Sequence, residues 1–365
     1  MRVIFLVPYP SEGPSNRYRI GQYLPYLKQA GIRYRVCSFW SKAAFRVLYK
    51  DGYYLRKIYF FIIGTLFRLI NIFQSLRYDI VFIHREAYPL GGAFFEIILK
   101  LFKKPVIFDF DDSIFLPSTS KSNSFMDRFK NPHKVVQVIK LSRHVIAGNN
   151  YLAEFASHYN SAVSVIPTAI DTERYKNFVF RAPKPNLIIG WMGSVTTIDF
   201  IDGIRDVILK LSKKYPQLEF RIIGGDYSIR GLSNITSKPW LLETELSELG
   251  DFDIGIMPMP DNIWTRGKCG FKAILYMTMG IPCVCSPVGA NKEIVSDGVN
   301  GFLAETESGW TDKLSLLIEN PRLRQKLGSA GRRTVEEKYS VAVNAPKILG
   351  AIQKLYSEYY GERDN

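Results

Sequence analysis

Short apolar segments alternate with amphipathic stretches along almost the whole chain. The apolar segments are rich in Val, Ile and Phe, which is typical of strands buried on both faces of a parallel sheet. The stretches between them have the apolar spacing of helices. In the first half, this pattern predicts strands at Arg2–Pro8, Tyr34–Phe39, Ile80–His84, Val106–Phe110, His144–Ala147 and Val163–Ile166.

The same pattern restarts after a Pro-containing segment at 181–185, which has the composition of an interdomain linker. It predicts strands at Leu187–Trp191, Glu219–Ile223, Asp253–Met257 and Pro282–Cys285. Strands that alternate with helices indicate βαβ units. The sequence therefore predicts an α/β protein of two Rossmann-like domains, at 1–178 and 187–340, that face a central cleft. The ligand should bind there, at the carboxyl ends of the strands.

Length and cysteine usage narrow the class of protein. The 365 residues fit about two domains. The four cysteines lack the paired spacing of a zinc site or a disulfide framework, which indicates a reducing compartment. The longest apolar run, Ile58–Phe67, ends at Arg68 and is shorter than a bilayer requires. The sequence therefore predicts a soluble, cytoplasmic protein without a transmembrane helix.

Charge distinguishes the two halves of the chain. Of the net charge of +14, residues 1–180 contribute 25 Lys and Arg against 12 Asp and Glu, whereas residues 181–365 carry 23 against 22. This excess predicts an anionic partner for the first half. We expect no nucleic acid partner, because no known recognition motif is present. In Lys42–Arg77, seven cations and many aromatic residues accompany a single acid, Asp51. This mixture favours contact with an anionic membrane surface; the alternative is helices whose polar faces are basic.

The most informative motif lies between Asp253 and Val295. A buried strand leads into a loop with Gly267 and Gly270, and a helix follows. Glycines before a helix allow backbone amides to approach an anion, and the helix N-terminus adds partial positive charge. Lys268 and Lys272 add two cations. The motif predicts a pyrophosphate site, with an ordinary loop as the alternative.

Several segments together resemble family 4 of the retaining, GT-B-fold glycosyltransferases. They are Gly148–Leu152, Val165–Asp171, Ile189–Ser194, Phe252–Ile256 and Gly280–Pro282. The resemblance covers nearly the whole chain and implies the GT-B fold, with a C-terminal segment, 341–365, whose helix crosses back to the first domain. It also implies a nucleoside-diphosphate sugar as donor.

The chain departs from the family pattern at the donor site. The two glutamates of the family, which contact the sugar and the ribose, correspond to Gly267 and Leu275. The Arg and Lys that hold the diphosphate in many members are replaced by the segment 193–197. We expect Lys268 and Lys272 to take over from that cationic pair.

The rest of the donor site is implied by the resemblance. Around the diphosphate we expect Gly193, Ser194, Thr197, Gly270 and Phe271. The first βα loop should close over the donor through Gly13 and Arg17, with an ordinary loop as the alternative. Trp240 lies where the family contacts the nucleobase, so it either stacks on the base or fills the core.

The resemblance places the end of the strand Val106–Phe110 beside the reacting sugar. Asp111 and Asp112 are therefore the candidates for orienting or deprotonating the acceptor hydroxyl, and His84 has a supporting role. One of the two carboxylates is also expected to cap the next turn. Asp109 and Asp111 form a D-x-D pair, but we expect no metal because that pair belongs to the other glycosyltransferase fold.

The sequence thus predicts a metal-independent, retaining glycosyltransferase that needs no cofactor. The expected partners are a nucleotide sugar and a hydroxyl acceptor that is lipid-linked or otherwise membrane-borne. The expected place is the inner face of the cell membrane, in bacterial surface polysaccharide or glycolipid assembly. Gly267 and Leu275 leave a non-catalytic nucleotide-sugar-binding or scaffold protein as the alternative. An epimerase or a phosphorylase on the same plan is a minor alternative.

Overall fold

A computed structural model describes residues 1–116, 131, 133–176 and 186–361. Contacts divide the chain into two compact units. The first comprises Met1–Ala169 and Asn344–Asn365, and the second comprises Ile170–Val343. The predicted domain boundary at 178 and the predicted linker at 181–185 lie outside the described residues.

The first unit contains a parallel sheet of six strands in the order β2-β1-β3-β4-β5-β6. Each strand predicted in the first half is present, with bounds that differ by a residue at most. The strands are β1 (Arg2–Val7), β2 (Arg33–Ser38), β3 (Ile80–His84), β4 (Val106–Phe110), β5 (His144–Ala147) and β6 (Val163–Val165). Central strands β3 and β4 are buried along their whole length, as their continuous apolar sequences require.

Helices surround this sheet. They are α1 (Pro14–Arg19), α2 (Leu24–Gln29), α3 (Lys42–Leu48), α4 (Tyr54–Gln74), α5 (Phe94–Leu101), α6 (Lys134–Leu141) and α7 (Asn150–Ser157), together with α15 (Val341–Gly361), whose residues from Asn344 onward belong to this unit. Between α1 and α2 lies a 3₁₀ turn, Gly21–Tyr23. Pro25 lies in the first turn of α2, where its missing amide hydrogen costs nothing.

The second unit contains a second parallel sheet of six strands, in the order β12-β11-β10-β7-β8-β9. The strands are β7 (Ile188–Met192), β8 (Glu219–Ile223), β9 (Ile235–Lys238), β10 (Ile254–Met257), β11 (Cys283–Cys285) and β12 (Phe302–Leu303). The two edge strands, β9 and β12, were not predicted. β9 is mostly exposed and β12 has only two residues, so neither has a long apolar segment.

The helices of the second unit complete an α/β fold of two Rossmann-like domains, which confirms the predicted class. They are α8 (Arg205–Lys214), α9 (Glu245–Leu249), α10 (Ile263–Arg266), α11 (Phe271–Thr278), α12 (Asn291–Ile294), α13 (Glu307–Glu319) and α14 (Pro321–Thr334). Each unit has its own apolar core between sheet and helices.

Helix α4 is longer than the apolar run at Ile58–Phe67 in the sequence, because it continues past Arg68. With the turn that follows it, the helix covers Tyr54–Arg77, and by length and composition alone it is apolar enough to cross a membrane, at a mean hydropathy of 1.5. That the protein has no transmembrane helix stays a prediction. Only 28% of the most apolar window is buried in the protein.

We predict opposite effects on stability for two helical glycine substitutions. A Cβ on Gly328, in α14, would lie 1.9 Å from the carbonyl oxygen of Gly280, so Gly328→Ala should destabilise by about 1–3 kcal/mol. Gly350, in α15, has no atom within 4 Å of that position, so Gly350→Ala should stabilise by about 0.5–1 kcal/mol. Urea unfolding measures both. Equal effects would contradict the helix packing described above.

Candidate functional site

The two sheets define where ligands can bind. In an open parallel sheet, ligands bind at the carboxyl ends of the strands, where successive connections turn to opposite sides. In the first sheet this point lies between β1 and β3, and in the second sheet between β7 and β10. The residues that follow these four strands include most of the predicted site.

A buried network lies at this point in the first unit. Asp109, the fourth residue of β4, accepts hydrogen bonds from Nε and Nη2 of Arg19, and Nε lies 3.2 Å from its Oδ2. Its other neighbour is His84 at the end of β3, whose Nδ1 lies 2.6 Å from Oδ2. Arg19, His84 and Asp109 are all at most 2% exposed. Ser15, in α1, completes the network, with its hydroxyl 2.5 Å from Nε2 of His84.

The charges of this network fix its protons. Burial alone would raise the pKa of Asp109, but the charge of Arg19 and the hydrogen bond from His84 outweigh it and hold that pKa below its usual value. The ionised carboxylate accepts the hydrogen of Nδ1. In the neutral ring, Nε2 therefore accepts the hydroxyl hydrogen of Ser15. His84 orients Ser15, the second residue of α1.

The predicted carboxylates Asp111 and Asp112 follow β4 and face Arg85. Nε of Arg85 donates to Asp111 at 2.7 Å, and Nη2 lies 3.7 Å from Asp112. Burial raises the pKa of Asp111, but the charges of Arg85 and of its neighbours outweigh it and bring that pKa well below its usual range. Asp112 also accepts the amide hydrogen of Ser113, the next residue, at 3.0 Å. That one of the pair caps the following turn stays a prediction. Both remain candidate site residues.

Arg85 has an unusual backbone conformation. Its φ of 61° lies in the left-handed region, which costs a residue with a side chain about 1–3 kcal/mol. Its amide donates to the carbonyl of Asp109 in β4 at 2.7 Å. This hydrogen bond holds the strained residue at the end of β3. Strain of this kind concentrates at functional sites, so Arg85 joins the candidate residues.

After the first βα loop, the structure buries Arg19 rather than Arg17, the arginine that the sequence analysis singled out. Gly13 precedes α1 as its N-terminal cap. The guanidinium of Arg17 lies 4.7 Å from the ring centre of Tyr18, and Nη2 is 3.3 Å from the hydroxyl of that tyrosine. Arg19, two residues later in α1, carries the buried ion pair instead. A phosphate contact of Arg17 stays a prediction.

In the second unit, Lys272 occupies the point between β7 and β10. Its Nζ lies 5.1 Å from the ring centre of Trp191 and 3.5 Å from the hydroxyl oxygen of Thr197. A Cβ on Gly193 would lie 2.4 Å from Cη2 of Trp191 and 2.6 Å from Cε of Lys272, so glycine lets the backbone lie against both side chains. Ser194 is exposed in the same loop, and its hydroxyl is 2.7 Å from that of Thr196.

Lys272 is a cation without a carboxylate partner among the described residues. Burial, and then the charge of Lys268, lower its pKa to about 7. The ammonium of Lys268 lies over the ring of Trp264, 3.8 Å from its centre. The two lysines are thus within electrostatic reach of each other, and both would gain from a bound anion.

The start of α11 supports the same site. Gly270 precedes the helix with a φ of 62°, and a Cβ there would lie 2.3 Å from Cδ1 of Ile294. Phe271 is the first helical residue, and Lys272 follows it. The ammonium group therefore lies in the first turn of this helix, where the helix dipole adds partial positive charge.

The two positions where the family has glutamates carry no polar side chain. Gly267 ends the short helix α10, and Leu275 is 4% exposed in α11. The sugar and ribose contacts of the family glutamates therefore have no counterpart at these two residues.

A pocket of about 460 Å³ lies beside the loop 193–197. It is lined by Gly224, Gly225, Asp226, Ser237, Lys238, Pro239 and Trp240. Trp240 is half-buried, and its Nε1 donates to Oε2 of Glu245 at 2.9 Å. Gly224 adjoins the carbonyl of Gly193, since a Cβ there would lie 1.9 Å from that oxygen. Trp240 thus lines a pocket rather than filling the core, and a base contact stays a prediction.

Within the described ranges, no three His, Cys, Asp or Glu side chains form a group that could hold a metal ion. In the D-x-D pair, Asp109 is engaged by Arg19 and His84, and Asp111 by Arg85.

Two family models match the chain. Residues 20–174 match glycosyltransferase family 4, and residues 186–320 match the glycosyl transferases of group 1. This chain belongs to the family 4, group 1 glycosyltransferases. An uncharacterized glycosyltransferase of Methanocaldococcus jannaschii is 27% identical over 168 residues, which span 43% of this chain and 43% of that protein.

Solved structures share the fold of this glycosyltransferase. HepE of Anabaena, in complex with UDP-glucose, has a TM-score of 0.70 at 16% identity over 97% of this chain and 100% of that one. A glycosyltransferase of Rickettsia africae has a TM-score of 0.68 at 16% identity, over 98% of both chains. At these identities the likeness shows the GT-B fold alone.

Sequence reasoning missed four residues that the structure places in the candidate site: Ser15, Arg19, Arg85 and Trp191. Arg19 and Arg85 were two cations among many in the basic first half, and their partners are distant in sequence. Trp191 lay within a strand and carried no polar signal. A carboxylate in an apolar strand, Asp109, was the one available sign that a buried cation must lie nearby.

We predict that the buried ion pair is essential for stability. Arg19→Met leaves the Asp109 carboxylate without its cation and should destabilise by about 3–5 kcal/mol. Adding Asp109→Asn removes that charge and should recover most of the loss. Urea unfolding of both variants provides the test. If the double variant were as unstable as the single one, lost packing rather than the buried charge would explain the effect.

We also predict that Lys272 takes up a proton when the protein binds a nucleoside diphosphate. With a pKa of about 7, Lys272 is only about one-tenth protonated at pH 8, and a bound diphosphate raises that pKa. Uptake should therefore approach one proton per ligand at pH 8 and fall to about one-tenth at pH 6. Calorimetry in buffers of different ionisation enthalpy measures it.

Matched lysine variants give the controls for this experiment. Lys272→Met should abolish the uptake and weaken binding by about tenfold or more. Lys213→Met removes an exposed lysine of α8 and should change neither quantity. Uptake that persists in Lys272→Met would place the titrating group elsewhere.

Proposed function

We propose that this glycosyltransferase transfers a sugar from a nucleoside-diphosphate sugar to a hydroxyl of a lipid-linked acceptor, with retention of configuration. It uses neither a metal ion nor a cofactor. It acts at the cytoplasmic face of the cell membrane, in bacterial surface polysaccharide or glycolipid assembly.

The observation that carries the proposal is the ammonium of Lys272, 3.5 Å from the Thr197 hydroxyl at the start of α11. Lysine cations, a hydroxyl and the N-terminus of a helix are groups that stabilise a departing diphosphate. Lys268 adds the second charge. In this arrangement the protein supplies the positive charge that a metal ion supplies elsewhere.

The adjacent pocket suits the nucleoside. Trp240 offers an aromatic surface for a base, and Glu245, which is 3% exposed, holds the indole in place. HepE, which shares the fold, has been solved in complex with UDP-glucose. This supports a nucleotide sugar as the ligand of the pocket and of Lys272.

The ion pair between Arg85 and Asp111 in the first unit supports retention of configuration. Inversion requires a strong general base for the acceptor hydroxyl. Arg85 lowers the pKa of Asp111 and so makes it a weak base. We therefore assign to Asp111 and Asp112 the orientation of the acceptor hydroxyl, with His84 and Ser15 beside them, while the departing diphosphate takes the proton.

Three readouts on one reaction test the proposal. The protein is incubated with UDP-, GDP-, ADP- and dTDP-sugars and a lipid-linked monosaccharide in vesicles, with and without EDTA. We expect one donor to be consumed only when acceptor is present, unchanged by EDTA, with an α-linked product from an α-linked donor by NMR. Lys272→Met should lower kcat/KM by about a hundredfold, whereas Lys213→Met should not.

Other outcomes would overturn parts of the proposal. A β-linked product would exclude retention, and loss of activity in EDTA would exclude metal independence. A donor that binds without being consumed by any acceptor would support the non-catalytic alternative. Full activity in Asp111→Asn and Asp112→Asn would remove the assigned roles of both carboxylates.

A further inference from the structure

Helix α4 is amphipathic in the reverse sense. Its buried positions include Lys57, Arg68 and Asn71, whereas its exposed positions are mostly large and apolar. The exposed apolar residues recur every three or four positions from one end of the helix to the other: Tyr54, Leu55, Ile58, Tyr59, Ile62, Leu66, Phe67, Ile70 and Phe73. Leu55 is 84% exposed and Phe73 is 62% exposed. Water is a poor environment for such a surface.

Contacts with the sheet hold the helix in this orientation. Nη2 of Arg68 donates to the carbonyl of Val7, at the end of β1, at 2.9 Å. Gly64 lies against Phe39, since a Cβ there would come within 2.8 Å of the Phe39 carbonyl oxygen. Rotation that buried the apolar face would break both contacts.

Helix α5 extends the apolar surface. Phe94, Ile97 and Leu101 are exposed along one side of it, at 61%, 46% and 74%. The rings of Phe73 and Phe102 lie 6.0 Å apart, which joins the ends of the two helices. We call the exposed apolar residues of α4 and α5 the apolar face.

The charges around the apolar face are mostly positive, with Asp51 as an exposed acid beside Lys50. Exposed cations lie near the start of α4, at Lys50 and Arg56, and at or beyond the ends of the two helices, at Arg77, Lys100 and Lys103. The tyrosines cluster at the start of α4. Amphipathic rings beside cations are what the headgroup region of an anionic bilayer binds.

We propose that the apolar face docks on an anionic bilayer, with α4 lying along the interface over its length of about 30 Å. A spanning orientation would place Arg68 and Lys57 in hydrocarbon and remove Arg68 from β1. A second copy of the chain would bring like-charged cations together around the apolar face. A membrane surface satisfies both the apolar residues and their cations.

This inference rests on the proposed function only in that a lipid-linked acceptor gives the docking its purpose. The apolar face adjoins the acceptor side of the first unit. The hydroxyl of Tyr49, just before α4, donates to that of Tyr9 at 3.0 Å, and Tyr9 follows β1. A docked protein would hold these strand ends close to the membrane.

Flotation with preformed vesicles tests the docking without any turnover. We expect the full-length protein to float with vesicles of phosphatidylcholine and phosphatidylglycerol, and several-fold more weakly with phosphatidylcholine alone. Ile62→Asn, Phe67→Asn and Phe73→Asn together should weaken binding by about a hundredfold. The matched control, Leu241→Asn, Val299→Asn and Leu316→Asn, changes exposed apolar residues of the second unit and should bind like wild type.

Two further measurements separate the alternatives. Nucleotide binding by the triple apolar-face variant should equal that of wild type, so that a failure of docking is distinct from a failure of the donor site. Equal flotation of the two triple variants would overturn the proposal. It would also fail if wild type did not float but formed a dimer that the apolar-face variant abolished, since a second copy would then cover the face.

Discussion

A single buried carboxylate organises the first unit. Asp109 stands at the end of a fully buried strand, where an unpaired charge would be strongly destabilising. Arg19 and His84 satisfy it, and Arg19 also donates to the carbonyl of Ile166 at 2.7 Å. The carboxylate thereby connects α1, β3, β4 and the segment after β6. Ser15, Asp111 and the turn of Arg85 all take their positions from this network.

The second unit has the opposite electrostatic character. Where the first unit pairs Arg19 with Asp109, the described part of the second leaves Lys272 beside another lysine at the carboxyl end of its sheet. A lysine with a pKa near 7 is only partly protonated at neutral pH, and it becomes fully charged when an anion binds beside it. The two family glutamates are absent, so the proposed donor site relies on the two lysines, the start of α11 and the pocket beside Trp240.

The reversed helix α4 imposes a third constraint, one that works against stability in water. Arg68 is held inward by its hydrogen bond to Val7 at the end of β1, so the apolar residues on the other side of α4 face solvent. Natural proteins rarely leave such a surface uncovered. A membrane-borne acceptor would account for both the surface and its basic surroundings, because docking would hold the first βα loop and β1 near the lipid.

The sequence by itself determined the two sheets, because strands buried on both faces require continuous apolar segments, and these are visible without any contact information. It also determined the glycine and lysine motif of the donor site, which is local in the chain. It missed β9 and β12, since edge strands need no such segment. Only the tertiary structure decided which of the many cations are buried. Arg19 lies 90 residues from Asp109, and Arg85 lies 26 from Asp111. It alone also decided which face of α4 points to solvent, because the sheet, rather than the periodicity of the helix, sets that rotation.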